Sequence, residues 1–250
     1  MHLKGKTAIV TGGGRDIGSA ISVKLASMGA NVVVNYHSNP TAADETLKMI
    51  QDHGGHAIKV QADLTQWDSC FALAAAAQEA FGQEIHILVN NAGGLVARKQ
   101  LCEMDEAFWD HLMALNLKSV FMMHKAVVPH MPKGGAIINL ASQAGRDGGG
   151  GGASAYATSK GAVMTFTRSM SKELGPKGIR VNALCPGMIA TTFHDTFTPD
   201  NVREMVAGKT PLRREGTSQE VADLVAYLAS HEASFITGAN FDINGGLAFS

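Results

Sequence analysis

The sequence is poor in cysteine, in aromatic side chains and in net charge. It has three cysteines, 6% aromatic residues, 17% charged residues and a formal net charge of −1 over 250 residues. Because Cys70, Cys102 and Cys185 are odd in number and widely spaced, they argue against a disulfide framework or a metal cluster and are typical of small packing residues. The balanced charge offers no basic stripe for a nucleic acid.

Long apolar runs are also missing. No run approaches the length that spans a membrane, and the apolar stretch after Lys6 is too short for the core of a signal peptide. We therefore expect a cytoplasmic protein with no membrane, nucleic-acid or metal partner. The sequence is instead rich in glycine, with 28 residues, and 45% hydrophobic, which is typical of a compact domain with many tight turns.

Short β-branched runs alternate with helical patterns along nearly the whole chain, which predicts repeated βαβ units. Strands are expected at about residues 7–10, 31–35, 56–61, 85–90, 136–140, 180–184 and 240–243, and helices at about 17–28, 41–53, 67–81, 106–130, 155–174 and 218–230. The predicted fold is α/β, a single-domain Rossmann fold over residues 1–250, with a doubly wound seven-stranded parallel sheet and helices on both faces. Residues 188–214, with few periodic apolar positions, are expected to form a long excursion over a site, here called the lid segment.

A glycine-rich segment joins the first strand to the first helix, in the order Thr11-Gly12-Gly13-Gly14-Arg15-Asp16-Ile17-Gly18. At this place backbone amides and the helix dipole favour a pyrophosphate, and a Cβ would hold the phosphates away. A plain turn also explains a glycine cluster. Asp16 has two interpretations: it caps the helix by accepting from a backbone amide, or its charge opposes a pyrophosphate. We expect the cap, with Arg15 offsetting the charge.

Tyr156 and Lys160 stand four residues apart, directly after the glycine run 148–152. On a helix their side chains lie on one face. A tyrosine titrates near 10, and lowering its pKa by about three units takes about 4 kcal/mol of differential stabilisation. A partly desolvated lysine and a bound cation can supply this, although an ordinary solvated helix face explains such a pair when it is taken alone.

Together these segments resemble the short-chain dehydrogenase/reductase family from Thr11 to Gly246. The first loop resembles its T-G-x-x-x-G-x-G motif with Asp16 in place of the middle glycine. The segment Asn90-Asn91-Ala92-Gly93 matches its Asn-Asn-Ala-Gly motif, Tyr156 and Lys160 match Tyr-x-x-x-Lys, and Pro186-Gly187 matches its Pro-Gly turn.

The resemblance implies a catalytic set of Asn116, Ser142, Tyr156 and Lys160. Ser142 would polarise a carbonyl oxygen and Tyr156 would protonate it, while Lys160 would lower the tyrosine pKa and bind the nicotinamide ribose. Asn116 would hold a water for proton relay. Ser154 is a weaker candidate for the serine role, because it would fall at the start of the helix.

The resemblance also implies a dinucleotide cofactor. The expected contacts are Gly12, Gly14, Arg15, Asp16, Ile17, Gly18, Tyr36, His37, Ser38, Asp63, Leu64, Asn90, Ala92, Gly93, Tyr156, Lys160, Pro186, Gly187, Ile189 and Thr191.

NADP(H) is preferred over NAD(H) on two grounds. No carboxylate ends the second strand, where NAD-specific sites hold the ribose hydroxyls. Arg15, His37, Ser38 and Asn39 can donate hydrogen bonds to a phosphate. Surface turn residues remain the other interpretation of these side chains.

The substrate is expected to be a small carbonyl or alcohol compound. Within the family the chain looks like the 3-oxoacyl-(acyl carrier protein) reductases, with NAD-linked sugar, polyol and hydroxy-acid dehydrogenases as the alternative. A non-catalytic dinucleotide-sensing protein is the alternative of another class. The resemblance implies a homotetramer, with Phe108, Trp109, Met113, Val163, Phe166 and Met170 as interface or core residues. The spacing from Ser142 to Tyr156 exceeds the common family spacing by one residue, which we place in the glycine run.

Overall fold

The computed structural model describes residues 2–249, and in these residues seven strands form one parallel sheet. The strands are β1 Thr7–Val10, β2 Asn31–Tyr36, β3 His56–Gln61, β4 Ile87–Asn90, β5 Ala136–Leu140, β6 Arg180–Pro186 and β7 Asn240–Ile243. Their order is β3-β2-β1-β4-β5-β6-β7. The predicted sheet is therefore confirmed, with each strand found within two residues of its expected bounds.

Ten α-helices connect or follow the strands in the described residues. They are α1 Asp16–Ser27, α2 Pro40–Asp52, α3 Trp67–Phe81, α4 Glu106–Met113, α5 Ser119–Val127, α6 Ala144–Asp147, α7 Ser154–Leu174, α8 Thr192–Phe197, α9 Asp200–Lys209 and α10 Ser218–Ala229. None of them is long and apolar enough to cross a membrane.

The two faces of the sheet hold separate cores because side chains alternate along a strand. In β1, Ala8 and Val10 pack into a cluster with residues of α1 and α10. Ile9, between them, packs into a second cluster with residues of α3 and α5. Both faces are covered, which explains why the central strands read as continuous apolar runs rather than alternating ones.

The long helix expected over residues 106–130 is wrong as a single element. The chain passes from α4 into a π-helical turn, Ala114–Lys118, continues as α5, and ends in a 3₁₀ turn, Val128–His130. Pro129 in that last turn cannot donate to an α-helical ladder. The π turn holds Asn116, and such turns often occur at functional sites.

The lid segment is more ordered than its composition indicates, because it contains α8 and α9. The Arg203 guanidinium joins these helices to the chain that follows them. It donates to both carboxylate oxygens of Glu215 at 2.7 Å and to Asp195 at 2.5 Å. Both helices are short and lack a long apolar stripe, so their hydrophobic pattern did not reveal them.

The chain builds the sheet outward in two directions. From β1 it continues through β2 to β3 at one edge, and from β4 it continues through β5 and β6 to β7 at the other edge. In open parallel sheets the crevice beyond the carboxyl ends of such strands is the usual ligand site. The loops that follow β1, β4, β5 and β6 all start at this edge.

Candidate active site

The loop after β1 is held by side chains from two neighbouring strands. Asn35, at the end of β2, accepts from the Gly12 amide through Oδ1 at 3.1 Å. Asn91, after β4, donates to the carbonyls of Thr11 and Gly12 at 3.0 and 3.1 Å. The Thr11 hydroxyl accepts from the amides of Asn91 and Ala92. The loop is therefore preorganised by buried polar contacts.

Gly18 is required at its position by close packing. A Cβ there would stand 2.0 Å from the Gly12 carbonyl oxygen and 2.7 Å from Asn91 Nδ2. Gly12 has φ +59°, which glycine adopts without a Cβ penalty. The first turn of α1 can therefore lie directly on the loop.

The start of α1 fits a phosphate group. Among residues 2–249, no protein acceptor takes a hydrogen bond from the amides of Gly14, Arg15, Asp16 and Ile17. The first amides of a helix lack partners within the helix, and the dipole makes this end positive. Unpaired amides on a tight, side-chain-poor loop are the donor set that a pyrophosphate requires.

Asp16 does not cap α1, so that expectation is wrong. The residue before α1 is Arg15, and its side chain forms no capping bond. The Asp16 carboxylate instead accepts from the Thr192 amide at 3.1 Å and from its hydroxyl at 2.5 Å. Because Asp16 has φ +50°, its side chain leaves the helix and reaches the lid segment. Arg15 Nε lies 3.9 Å from the same carboxylate, as the expected charge offset requires.

The end of β2 presents Tyr36, His37 and Ser38 at the same edge of the sheet. His37 and Ser38 are exposed, and Tyr36 is half-buried. Asn39, which we considered as a phosphate donor, accepts from the Ala42 amide at 3.1 Å and caps α2. No acidic side chain ends the strand, as expected from the sequence.

Asp63 and Leu64 follow β3. The Asp63 carboxylate accepts from the Thr65 amide at 2.9 Å and its hydroxyl at 2.8 Å, which forms a local turn. Burial acts to raise the pKa of Asp63, but the Thr65 bonds and the nearby His37 outweigh it, so the pKa lies below its ordinary value. The Leu64 side chain is buried in the core, so any contact that it makes with a dinucleotide has to come from its backbone.

Asn116 is fixed to the loop after β4. Its side-chain oxygen accepts from the Gly94 amide at 2.9 Å, and its amide nitrogen donates to the Gly94 carbonyl at 2.9 Å and the Leu112 carbonyl at 3.1 Å. A Cβ on Gly93 would lie 2.6 Å from the Asn116 oxygen and 3.2 Å from Lys160 Nζ. Two residues of the predicted catalytic set therefore meet at Gly93.

The remaining members lie beside them. The Ser142 side chain lies near enough to the Tyr156 hydroxyl to act on its pKa, and Lys160 Nζ lies 5.8 Å from the centre of the Tyr156 ring. Lys160 is buried and donates to the Leu140 carbonyl at 2.7 Å. The weaker serine candidate, Ser154, is exposed at the start of α7. The structure thus brings together all four predicted catalytic residues.

Burial is the largest influence on the pKa values of Tyr156 and Lys160. It raises the pKa of Tyr156 above its ordinary value, although Ser142 acts in the other direction. We expected Lys160 to lower this pKa, and in the protein without further ligands the net shift is the opposite. Burial also lowers the pKa of Lys160 to about 8. At neutral pH the phenol is therefore protonated and the ammonium is still charged.

The predicted Pro-Gly turn ends β6 next to the lid segment. The Gly187 amide donates to the Ile243 carbonyl at 3.0 Å, and a Cβ on Gly187 would stand 2.7 Å from the Asn244 Cβ. Ile189 is buried, and the Thr191 hydroxyl donates to its carbonyl at 3.1 Å. The turn leads directly into α8.

Two segments border the space beside Tyr156. From the lid segment, the Phe193 ring lies 6.0 Å from the Tyr156 ring. From the loop after β4, Arg98 donates to the carbonyls of Phe197 at 3.2 Å and Gly151 at 3.0 Å. Arg98 therefore joins the glycine run to both the lid segment and this loop.

The sequence analysis did not identify the residues whose side chains hold the dinucleotide loop and border the catalytic group. Thr11 and Asn91 lay inside the motifs and Asn35 lay at the end of the second predicted strand, but their side chains were assigned no role. The contact from Thr192 to Asp16 spans 176 residues, and Phe193 carries no motif. A buried amide directly at a strand end was the one available signal for Asn35.

Comparisons of the sequence and of the structure with known proteins identify the same family. The model of a family described as enoyl-(acyl carrier protein) reductase matches residues 12–248. Glucose 1-dehydrogenase 2 of Bacillus subtilis is 38% identical over 98% of this chain and 95% of its own. A 3-oxoacyl-[acyl-carrier-protein] reductase of Synechocystis is 38% identical over 98% of both chains. The solved short-chain dehydrogenase/reductase of Serratia marcescens superposes with a TM-score of 0.94, at 34% identity and full coverage of both chains.

Proposed function

Because the chain belongs to the short-chain dehydrogenase/reductase family, whose members are oxidoreductases that use NAD(P), we propose that it interconverts a ketone and a secondary alcohol with Tyr156 as the general acid and base. The observation that carries this proposal is the buried Lys160 ammonium, which lies beside the Tyr156 ring at 5.8 Å and meets Asn116 at Gly93, with Ser142 acting on the pKa of Tyr156. NAD(P) supplies the hydride when bound.

Each residue has a distinct task in ketone reduction. Ser142 donates to the carbonyl oxygen and polarises the bond, and Tyr156 passes its phenolic proton to that oxygen as negative charge develops. Lys160 stabilises the resulting phenolate and holds the ribose hydroxyls. Asn116, with its side chain bonded to Gly94 and Leu112, orders a water through which Lys160 exchanges protons with solvent.

The raised pKa of Tyr156 keeps the phenol in the protonated form that ketone reduction requires. A proton donor must be protonated at the working pH, and burial keeps the phenol in that form. Oxidation of an alcohol requires the phenolate instead. Replacing Tyr156 by Phe keeps the ring and removes the proton, so we expect turnover to fall to background while NADPH still quenches intrinsic fluorescence. Turnover close to that of the wild type would contradict the mechanism.

We propose NADP(H) as the preferred cofactor. The end of β2 carries no carboxylate that would repel a ribose phosphate, and Arg15 is exposed beside the loop. One observation works against this preference, because Arg15 also donates to the Thr192 hydroxyl at 3.4 Å and so is shared with the lid segment. Fluorescence titrations with NADPH and NADH decide between them, and tighter binding of NADH would reverse the assignment.

The proposed substrate class is a 3-oxoacyl compound, because the chain is similar to 3-oxoacyl-[acyl-carrier-protein] reductases over almost its full length. The aromatic side chain of Phe193 beside Tyr156 suits an apolar acyl chain. Of the basic residues that could bind an acidic carrier, Arg214 is already paired with Glu220 at 2.5 and 2.9 Å. Small thioesters and keto-esters are therefore the first substrates to test.

A sugar dehydrogenase is the second candidate, because glucose 1-dehydrogenase 2 is equally similar. A screen of keto-esters, keto-acids and sugars, in both directions and with both cofactors, separates the two. Absence of turnover with every substrate, together with dinucleotide binding, would favour a non-catalytic sensor.

We further propose a cytoplasmic homotetramer. Of the expected interface residues, Trp109 is exposed, while Val163 is fully buried in the core.

A further inference from the structure

The Asp16 carboxylate lies between the dinucleotide loop and the first helix of the lid segment. It accepts from the Thr192 amide at 3.1 Å and from the Thr192 hydroxyl at 2.5 Å. Thr191, the residue before α8, forms no side-chain capping bond. Asp16 therefore provides the acceptor that the first turn of α8 lacks within its own segment.

The backbone of Asp16 adds an independent observation. Its φ of +50° lies in the left-handed region, which glycine adopts freely and other residues adopt at a cost. Glycine would also avoid placing a negative charge beside the four unpaired amides of residues 14–17. An aspartate here is unfavourable for both reasons, unless its side chain does something that glycine cannot. In the described residues its carboxylate contacts are Thr192 and Arg15.

We propose that Asp16 is a positioning residue that fastens α8, and with it the lid segment, to the dinucleotide loop and thereby slows release of the dinucleotide. The proposal rests on the proposed function for the identity of this ligand. The lid segment cannot move away from the loop without breaking both bonds to Thr192. Arg15 strengthens the same junction, since it lies 3.9 Å from the carboxylate and donates to the Thr192 hydroxyl.

Two variants separate the tether from the charge. Asp16→Gly removes both bonds, while Asp16→Asn keeps an oxygen for the Thr192 amide and an amide for its hydroxyl, and asparagine tolerates the left-handed φ. In the free protein, hydrogen exchange of the amides of residues 192–197 should become roughly tenfold faster in Asp16→Gly, as expected for the loss of a charge-assisted bond. Asp16→Asn, which keeps both bonds but not their charge assistance, should exchange more slowly than Asp16→Gly and lie between it and the wild type.

Stopped-flow displacement of NADPH then measures release. Both variants lose the negative charge, so the ratio of their dissociation rates isolates the tether, and we expect Asp16→Gly to release NADPH roughly tenfold faster than Asp16→Asn. Thr192→Val, which keeps the backbone bond alone, should give intermediate exchange.

Unchanged exchange in Asp16→Gly, or equal exchange and equal release in the two variants, would overturn the tether. Exchange is measured without a dinucleotide. If the wild-type protein binds neither NADPH nor NADH, the proposed function and the release step both fail, while the exchange data still decide whether Asp16 holds α8.

Discussion

Replacing Gly93 by alanine should disable the candidate active site while the protein stays folded. The added Cβ would stand 2.6 Å from the Asn116 side-chain oxygen and 3.2 Å from Lys160 Nζ. Ordinary contacts begin at 3.4 Å, so the Asn116 amide has to retreat by about 0.8 Å and Lys160 by less. Asn116 cannot retreat freely, because it is bonded to Gly94 on two sides and to Leu112.

A displacement of this size at a positioned group costs on the order of 100-fold in rate. We expect kcat for ketone reduction at saturating NADPH to fall by about that factor in Gly93→Ala, with a thermal unfolding midpoint within a few degrees of the wild type. The assay is the loss of NADPH absorbance as NADPH is oxidised, with NADPH affinity measured separately by fluorescence.

Gly94→Ala is the control for an added methyl group in the same loop, at a residue that lacks the positive φ of Gly93 (+159°). No atom lies within 4 Å of the Cβ that it would add, and its backbone amide still donates to Asn116. Its activity should stay within about threefold of the wild type, well below the roughly 100-fold effect of a misplaced group. Full activity in Gly93→Ala, or an equal loss in Gly94→Ala, would refute the assigned contact between Gly93 and the catalytic residues.

Further predictions concern cofactor binding and pH. Gly18→Ala should weaken NADPH binding at least roughly tenfold, because its Cβ meets the Gly12 carbonyl, whereas Gly175→Ala, with open space, should not. Burial lowers the pKa of His124 to about 4 from 6.5, so its contribution to stability is present above pH 6.5 and is lost as the pH falls toward 4. The unfolding free energy of the wild type should therefore drop about 3 kcal/mol more than that of His124→Leu between pH 7 and pH 4. Parallel pH profiles in urea titrations would contradict this.

The predicted helices differ from the observed ones where the hydrophobic periodicity of the sequence does not reveal the structure. Helix α3 was predicted within its observed bounds because an apolar, alanine-rich run ends at a glycine. The π turn around Asn116 left no trace in the pattern, since it keeps the chain helical and changes only which carbonyl each amide meets. The lid helices α8 and α9 were missed because Arg203, Asp195 and Glu215 hold them through side-chain contacts rather than an apolar stripe.

In the candidate site, too, part of the arrangement could be predicted from the sequence and part could not. The family resemblance indicated Asn116, Ser142, Tyr156 and Lys160 as a catalytic set, and the structure brings them together. The lowering of the Tyr156 pKa by Lys160 and a bound cation stays a prediction, and in the protein alone burial raises this pKa, an effect that residue spacing does not reveal.

The sequence by itself determined the parallel sheet and the order of its elements along the chain, because strand periodicity and chain connectivity leave few arrangements. Its resemblance to a known family indicated the residues that gather at the carboxyl edge of the sheet. Only the tertiary structure decided the partner of Asp16. A carboxylate at the start of a helix normally caps that helix, and nothing local indicates otherwise. Its left-handed backbone turns the side chain toward Thr192, which lies beside it only after the sheet has brought β1 and β6 to the same edge.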